Sequence, residues 1–231
     1  IEFKDTTYRY PEADLDTLRS INLSVNEGEK VAILGRNGSG KSTLMKLASG
    51  LFKASDGLVM YDGVDIKQLH TDDLSRSIGI VLQDVQLFSG SIRENITMGR
   101  EDINQDDLIN AGKLSGLDDF VSKIPGGYDL QLSDGGKGLS GGQRQSIALA
   151  RAIVHKPTHF ILDEPTSAMD MNAENIFISQ MGSIMQDSTM LIVTHRMPLL
   201  NLVDRIIVMN EGQIVEDGPK EEIINKLNQP R

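Results

Sequence analysis

Gly35-Arg36-Asn37-Gly38-Ser39-Gly40-Lys41-Ser42 fits G-x-x-x-x-G-K-[ST], the pattern of a loop that cradles phosphate. A triphosphate concentrates negative charge. Main-chain N–H groups of a tight loop and of a helix N-terminus supply the partial positive charge that answers it. Gly35, Gly38 and Gly40 lack a Cβ, so the backbone can wrap closely. Lys41 would reach the β- and γ-phosphates and the Ser42 hydroxyl would ligate Mg2+, with Arg36, Asn37, Ser39 and Thr43 completing the cradle. The alternative is a glycine-rich turn that binds nothing. The flanks argue against it: Val31-Ala32-Ile33-Leu34 reads as a buried parallel strand, and Leu44, Leu47 and Ala48 fall at helical spacing.

Two more stretches suit phosphate chemistry. Asp163 and Glu164 follow the apolar run His159-Phe160-Ile161-Leu162. A carboxylate at Asp163 could hold the Mg2+ that Ser42 touches, and Glu164 could polarise an attacking water; read alone, they are equally two solvated carboxylates. Leu139-Ser140-Gly141-Gly142-Gln143 opens a helix with an apolar face at Ile147, Ala148, Ala150 and Val154. That start is a second anion site, although Ser140 by itself is equally an N-cap. Two phosphate elements in one chain serve different nucleotides, or one nucleotide shared between two chains.

The elements that must position these groups alternate. Strands are expected over 1–10, 20–25, 58–61 and 78–82, and helices over 72–77 and 141–154. From 91 to 138 helix-like segments (92–98, 105–114, 117–124) alternate with Gly and Pro turns, and strand-type apolar runs are missing. A strand at 159–162, a helix at 171–185, a strand at 189–193, a hairpin around Asn210-Glu211-Gly212 and a final helix at 219–227, with Pro219 in its first turn, complete the chain. The expected fold is α/β: a P-loop NTPase core with a parallel sheet, an antiparallel β subdomain, and an inserted helical subdomain. The core comprises 1–83 and 155–231, the insertion about 84–154. In such sheets ligands bind at strand carboxyl ends, where the glycine loop, Asp163-Glu164 and His195 all lie.

Composition narrows the class. The 231 residues contain no cysteine, so disulfides, thiolate metal sites and cysteine nucleophiles are excluded. The formal charge of −10 argues against a nucleic-acid partner. No apolar run is long enough to span a membrane and no signal peptide opens the chain. A first residue of Ile rather than Met suggests a piece of something longer.

Gly35–Ser42, Gln83, Leu139–Gln143, Phe160–Glu164, Ser167-Ala168-Met169-Asp170 and His195 occur in an order and spacing that resembles the ATPase domain of ABC transporters. The resemblance covers nearly the whole chain and implies a head-to-tail dimer with two ATPs at its interface. Each ATP would lie between the glycine loop of one subunit and the Ser140–Gln143 signature of the other, with Ser140 and Gly142 meeting the γ-phosphate in trans. It further implies that Gln83 senses Mg2+ and the attacking water, that Glu164 is the general base, and that His195 binds the γ-phosphate and orients base and water. Asp170 would connect the two sites, and Tyr10 would stack on adenine. Read blandly, Tyr10 is a strand-end aromatic, Gln83 a loop amide and His195 a structural histidine. The stretch 83–96 is similar to the exporter form of the loop after Gln83, and the whole looks most like bacterial type I secretion transporters of RTX toxins, adhesins or bacteriocins. Such proteins work at the cytoplasmic face of the inner membrane with a transmembrane domain, an adaptor and an outer-membrane channel. Asp134 stands where exporters usually carry Glu, and Met169 where Leu is commoner. Rival readings are a soluble ABC ATPase acting on DNA or ribosomes, and a non-catalytic nucleotide-binding assembly module. The absence of heptads between glycine loop and signature speaks against the chromosome-maintenance type of the first. The intact Glu164 and signature speak against the second.

Overall fold

The computed structural model describes residues 1–228. In chain order the first third holds β1 (Glu2–Tyr8), β2 (Leu18–Ser24), β3 (Lys30–Gly35), α1 (Lys41–Ala48), β4 (Asp56–Tyr61), β5 (Val64–Asp65), α2 (Thr71–Ser77) and β6 (Ile78–Val81). The middle holds β7 (Gly90–Ser91), α3 (Ile92–Thr97), α4 (Gln105–Leu114), α5 (Asp118–Val121), β8 (Gln131–Leu132) and α6 (Gly141–Ile153). The last third holds β9 (His159–Asp163), α7 (Met171–Ile184), β10 (Thr189–Val193), β11 (Arg205–Asn210), β12 (Gln213–Pro219) and α8 (Lys220–Leu227).

Six strands form the main sheet in the order β12-β11-β3-β10-β9-β6. All neighbours are parallel except β12, which returns antiparallel from β11. The register aligns Val31, Leu191, Ile161 and Ile80 across four strands, so the carboxyl ends of β3, β10, β9 and β6 share one edge. A separate antiparallel sheet, β2-β1-β4-β5, lies beside it.

Strand alternation divides the core in two. Ala32, Phe160, Leu162, Met190, Ile192 and Ile206 pack with Ile147 and Ala150 of α6 and Phe177 and Met181 of α7. Val31, Ile33, Ile161, Leu191, Val193 and Ile207 face the other way, toward Leu44, Met45 and Leu47 of α1 and Phe3, Leu18 and Ile21 of the antiparallel sheet. Burial on both faces explains why these strands read as continuous apolar runs. Each such Ile, Leu or Val contributes roughly 1.5–3 kcal/mol by leaving water.

The expected α/β architecture is present, with four local differences. β1 ends at Tyr8, because Thr17 N–H bonds the Tyr8 carbonyl and starts the turn early, leaving Tyr10 outside the strand. The helix expected over 117–124 keeps only Asp118–Val121, since Pro125-Gly126-Gly127 pulls the chain into turns. The segment expected to lack strands pairs Gly90-Ser91 with Gln131-Leu132, too short a ladder to show an apolar run. Pro219 closes β12 and precedes α8 instead of lying in its first turn.

Candidate nucleotide site

At the shared strand edge β3 passes into α1 through residues 36–40. Gly35 leaves the strand with φ 152°, and a Cβ there would sit 2.3 Å from the Met209 carbonyl oxygen. Gly40 caps α1 at φ 99°, where a Cβ would strike Leu18 at 2.6 Å. Both positions therefore require glycine. No side chain caps the α1 N-terminus, and the N–H groups of its first turn, from Lys41 on, have no intrahelical acceptor. Lys41 is buried and its Nζ donates to the carbonyls of Gly35 and Arg36 at 2.8 and 2.9 Å, folded along the loop it would leave for a phosphate. Ser39 is buried beneath the loop, with its N–H on the Arg36 carbonyl at 3.1 Å.

A cavity of about 330 Å³ opens here, lined by Thr17, Asn37, Gly38, Gly40, Lys41, Ser42, Thr43, Gln83, Asp163, Glu164, Val193 and His195. Four separate strand ends thus deliver their polar groups to one hollow. Asp163, the last residue of β9, is 2% exposed, and its Oδ1 has no hydrogen-bond partner. Burial raises its pKa, with the Ser42 hydroxyl, Lys41 and Lys46 pulling it back. Glu164 has φ 51°, a left-handed conformation, and its N–H donates to the Val193 carbonyl at 2.9 Å. Its Oε1 lies 3.5 Å from His195 Nε2. Burial raises the Glu164 pKa and His195 opposes that rise. Burial also lowers the pKa of Lys41, against the pull of Asp163 and Glu164.

The donor set suits a hard cation. Asp163 and Ser42 offer oxygen, and the orphaned Asp163 Oδ1 is a group a cation would satisfy. Among the described residues no cluster of three or more His, Cys, Asp or Glu could cage a metal.

Of the residues expected from the sequence, Asn37, Gly38, Gly40, Lys41, Ser42, Thr43, Gln83, Asp163, Glu164 and His195 meet in this cavity. Gly35, Arg36 and Ser39 shape the loop without lining it. Tyr10 stands off the cavity, half-buried, its hydroxyl 3.1 Å from Thr43 Oγ1 and its ring edge-on to Tyr8 and Phe52 at 5.1 and 5.8 Å. Ser140, Gly141, Gly142 and Gln143 do not reach the cavity. Ser140 Oγ accepts the Gln143 N–H at 3.2 Å while Gln143 Oε1 accepts the Ser140 N–H at 2.8 Å, a capping box at the start of α6. Thr17 in the cavity wall was missed, as no local pattern marks it.

A family profile described as ABC transporter matches residues 18–167, spanning the glycine loop, the signature and Asp163-Glu164. The chain belongs to the ABC-transporter family. Within it this is an ATP-binding ATPase domain, the P-loop fold described above. It is 43% identical over 224 residues, 97% of its length, to the leukotoxin export ATP-binding protein LtxB of Aggregatibacter actinomycetemcomitans, and covers 32% of that protein. Identity is 42% over 99% of the chain to the leukotoxin translocation ATP-binding protein LktB of Mannheimia glucosida, of which it again covers 32%. It is 41% over 97% of the chain to the cyclolysin secretion/processing ATP-binding protein CyaB of Bordetella pertussis, with 32% of that protein covered. The chain spans about a third of the length of these curated relatives. A solved bacterial Atm1-family ABC exporter with ATP bound superposes with a TM-score of 0.90 at 31% identity, over 98% of this chain and 40% of that one.

Proposed function

We propose that the chain is the motor of a membrane exporter of the type I secretion class, driven by attack of water on the γ-phosphate of ATP. The convergence of Lys41, Asp163, Glu164 and His195 on one hollow at the sheet edge carries this reading. Lys41 swings from the Gly35 and Arg36 carbonyls onto the β- and γ-phosphates. Ser42 and Asp163, with Gln83 lining the same cavity, would hold Mg2+, which would supply neutralisation of charge on the phosphate oxygens. Glu164, its proton affinity raised by burial, takes the proton of the attacking water. His195, its Nε2 3.5 Å from Glu164 Oε1, would orient the carboxylate and meet the γ-phosphate. Catalysis is mostly positioning and electrostatics.

The hollow is open on one side, and in this reading a second copy of the chain covers it. Ser140, Gly141, Gly142 and Gln143 lie outside their own cavity, on an α6 N-terminus that offers N–H groups and positive partial charge to a partner's nucleotide. Asp170, at the cap of α7, joins the two sites, and Tyr10 flanks the adenine. The inserted region, about 84–154, presents the signature, and Asp134 before it faces the transmembrane part of the transporter. No described helix is long and apolar enough to cross a membrane. The names of the relatives, which concern leukotoxin export and cyclolysin secretion, favour a secreted toxin as cargo. An adaptor and an outer-membrane channel would complete the machine, with this domain at the cytoplasmic face of the inner membrane.

The deciding experiment is Glu164→Gln. Steady-state hydrolysis falls at least about 100-fold, ATP affinity by calorimetry stays within about two-fold of the parent, and a dimer appears on gel filtration with ATP. Ordinary turnover would remove Glu164 from the mechanism.

A further inference from the structure

Gln145 lies one turn into α6 and is 2% exposed. Both ends of its amide are used, and neither use belongs to its own helix. Nε2 donates to the Glu164 carbonyl at 3.0 Å. Oε1 accepts the Ala168 N–H at 3.1 Å. The turn from Glu164 to Ala168 is therefore pinned at both ends by one side chain, with the Ser167 N–H also on the Glu164 carbonyl at 3.1 Å. Glu164 needs such pinning. Its φ of 51° is a region that residues with a Cβ avoid, and it persists only where surroundings over-determine it. The Val193 carbonyl holds the Glu164 N–H on one side, and Gln145 holds the Glu164 carbonyl on the other. Between them they fix the peptide planes flanking the Cα, and so the direction in which the carboxylate leaves the backbone.

We propose that Gln145 is a positioning residue for Glu164: it sets the backbone of the base without touching nucleotide or water. The inference rests on the reading of Glu164 as the base. It also gives α6 two tasks, since the helix whose first turn is offered to a second chain holds this chain's own base from its second turn.

The test uses two substitutions. Gln145→Met keeps length and burial but removes both hydrogen-bonding ends. Gln145→Glu keeps an acceptor for the Ala168 N–H but cannot donate, and sets a carboxylate against the Glu164 carbonyl. Expected is a kcat about 10-fold lower for Gln145→Met and lower still for Gln145→Glu, with KM for ATP within about two-fold of the parent in both. Each is then combined with Glu164→Gln. With the base gone, misplacing it costs nothing further, so single-turnover rates of the double variants equal that of Glu164→Gln alone. Parental kcat in both single variants, a KM that rises as kcat falls, or a further loss in the doubles would each overturn the proposal. If Glu164→Gln itself turns over normally, the base assignment is what fails.

Discussion

At the residue scale the site holds its charges where water does not help them. Asp163 is nearly inaccessible, one of its oxygens is unpartnered, and burial raises its pKa. A carboxyl whose folded-state pKa lies above its unfolded value stabilises the fold fully only below the unfolded value, and that contribution is lost as pH rises through the folded one. Wherever pH holds Asp163 ionised, its burial is therefore a liability to the ligand-free fold. Asp163→Asn should raise the melting temperature without nucleotide or Mg2+ by about 2–4 °C, the shift that roughly 1 kcal/mol gives a chain of this size. The same variant should lose Mg2+-dependent hydrolysis. Differential scanning calorimetry beside a phosphate-release assay checks both, and a lower melting temperature would show that the carboxylate is paired. The chemistry-bearing residues were legible because each follows an apolar strand or opens a helix. Gln145 was not: it lies inside a helix among residues of the same polarity, and its partners come from 19 and 23 positions away.

At the element scale the inserted region is tied together from within by well-made polar contacts. Asn95, on α3 and 2% exposed, accepts the Phe88 N–H at 2.9 Å and donates to the Phe88 and Ser91 carbonyls at 2.9 and 3.0 Å. Arg151 of α6 donates to the Asn95 carbonyl at 2.7 Å and the Gln86 carbonyl at 3.1 Å. The loop after Gln83 is thereby tied to the helix that begins at the signature. Asn95→Ala leaves the Phe88 N–H and two carbonyls without their partner, which should lower unfolding stability by about 2–3 kcal/mol. Urea titration followed by circular dichroism measures this; a change under about 0.5 kcal/mol, the usual size of a surface substitution, would mean that water replaces the amide. Helix α6 was foreseen from its apolar face, and the hairpin at Glu211-Gly212 from its turn residues, which both take positive φ. The two-residue ladder of β7 and β8 was not, because Gly90-Ser91 and Gln131-Leu132 pair through main-chain groups that leave no pattern in the side chains.

At the scale of the whole molecule, the glycine-loop cavity and the signature stand apart. The cavity holds Lys41, Asp163, Glu164 and His195 but not the signature, which stands outside that cavity at the start of α6. If a second copy supplies the missing half, two chains that are each inactive can repair one another. Lys41→Ala spoils the cavity and spares the signature; Ser140→Arg spoils the signature and spares the cavity. In a mixed dimer one of the two sites then carries both defects and the other carries neither. At equal amounts half of the dimers are mixed, so hydrolysis should return to about a quarter of the parental rate if the two sites act independently. Replacing Ser140 also removes a helix cap worth roughly 1 kcal/mol, so the fold of that variant is verified by its melting curve before mixing. A mixture no more active than the sum of its parts would show that each chain completes its own site, and the head-to-tail arrangement would fall with it.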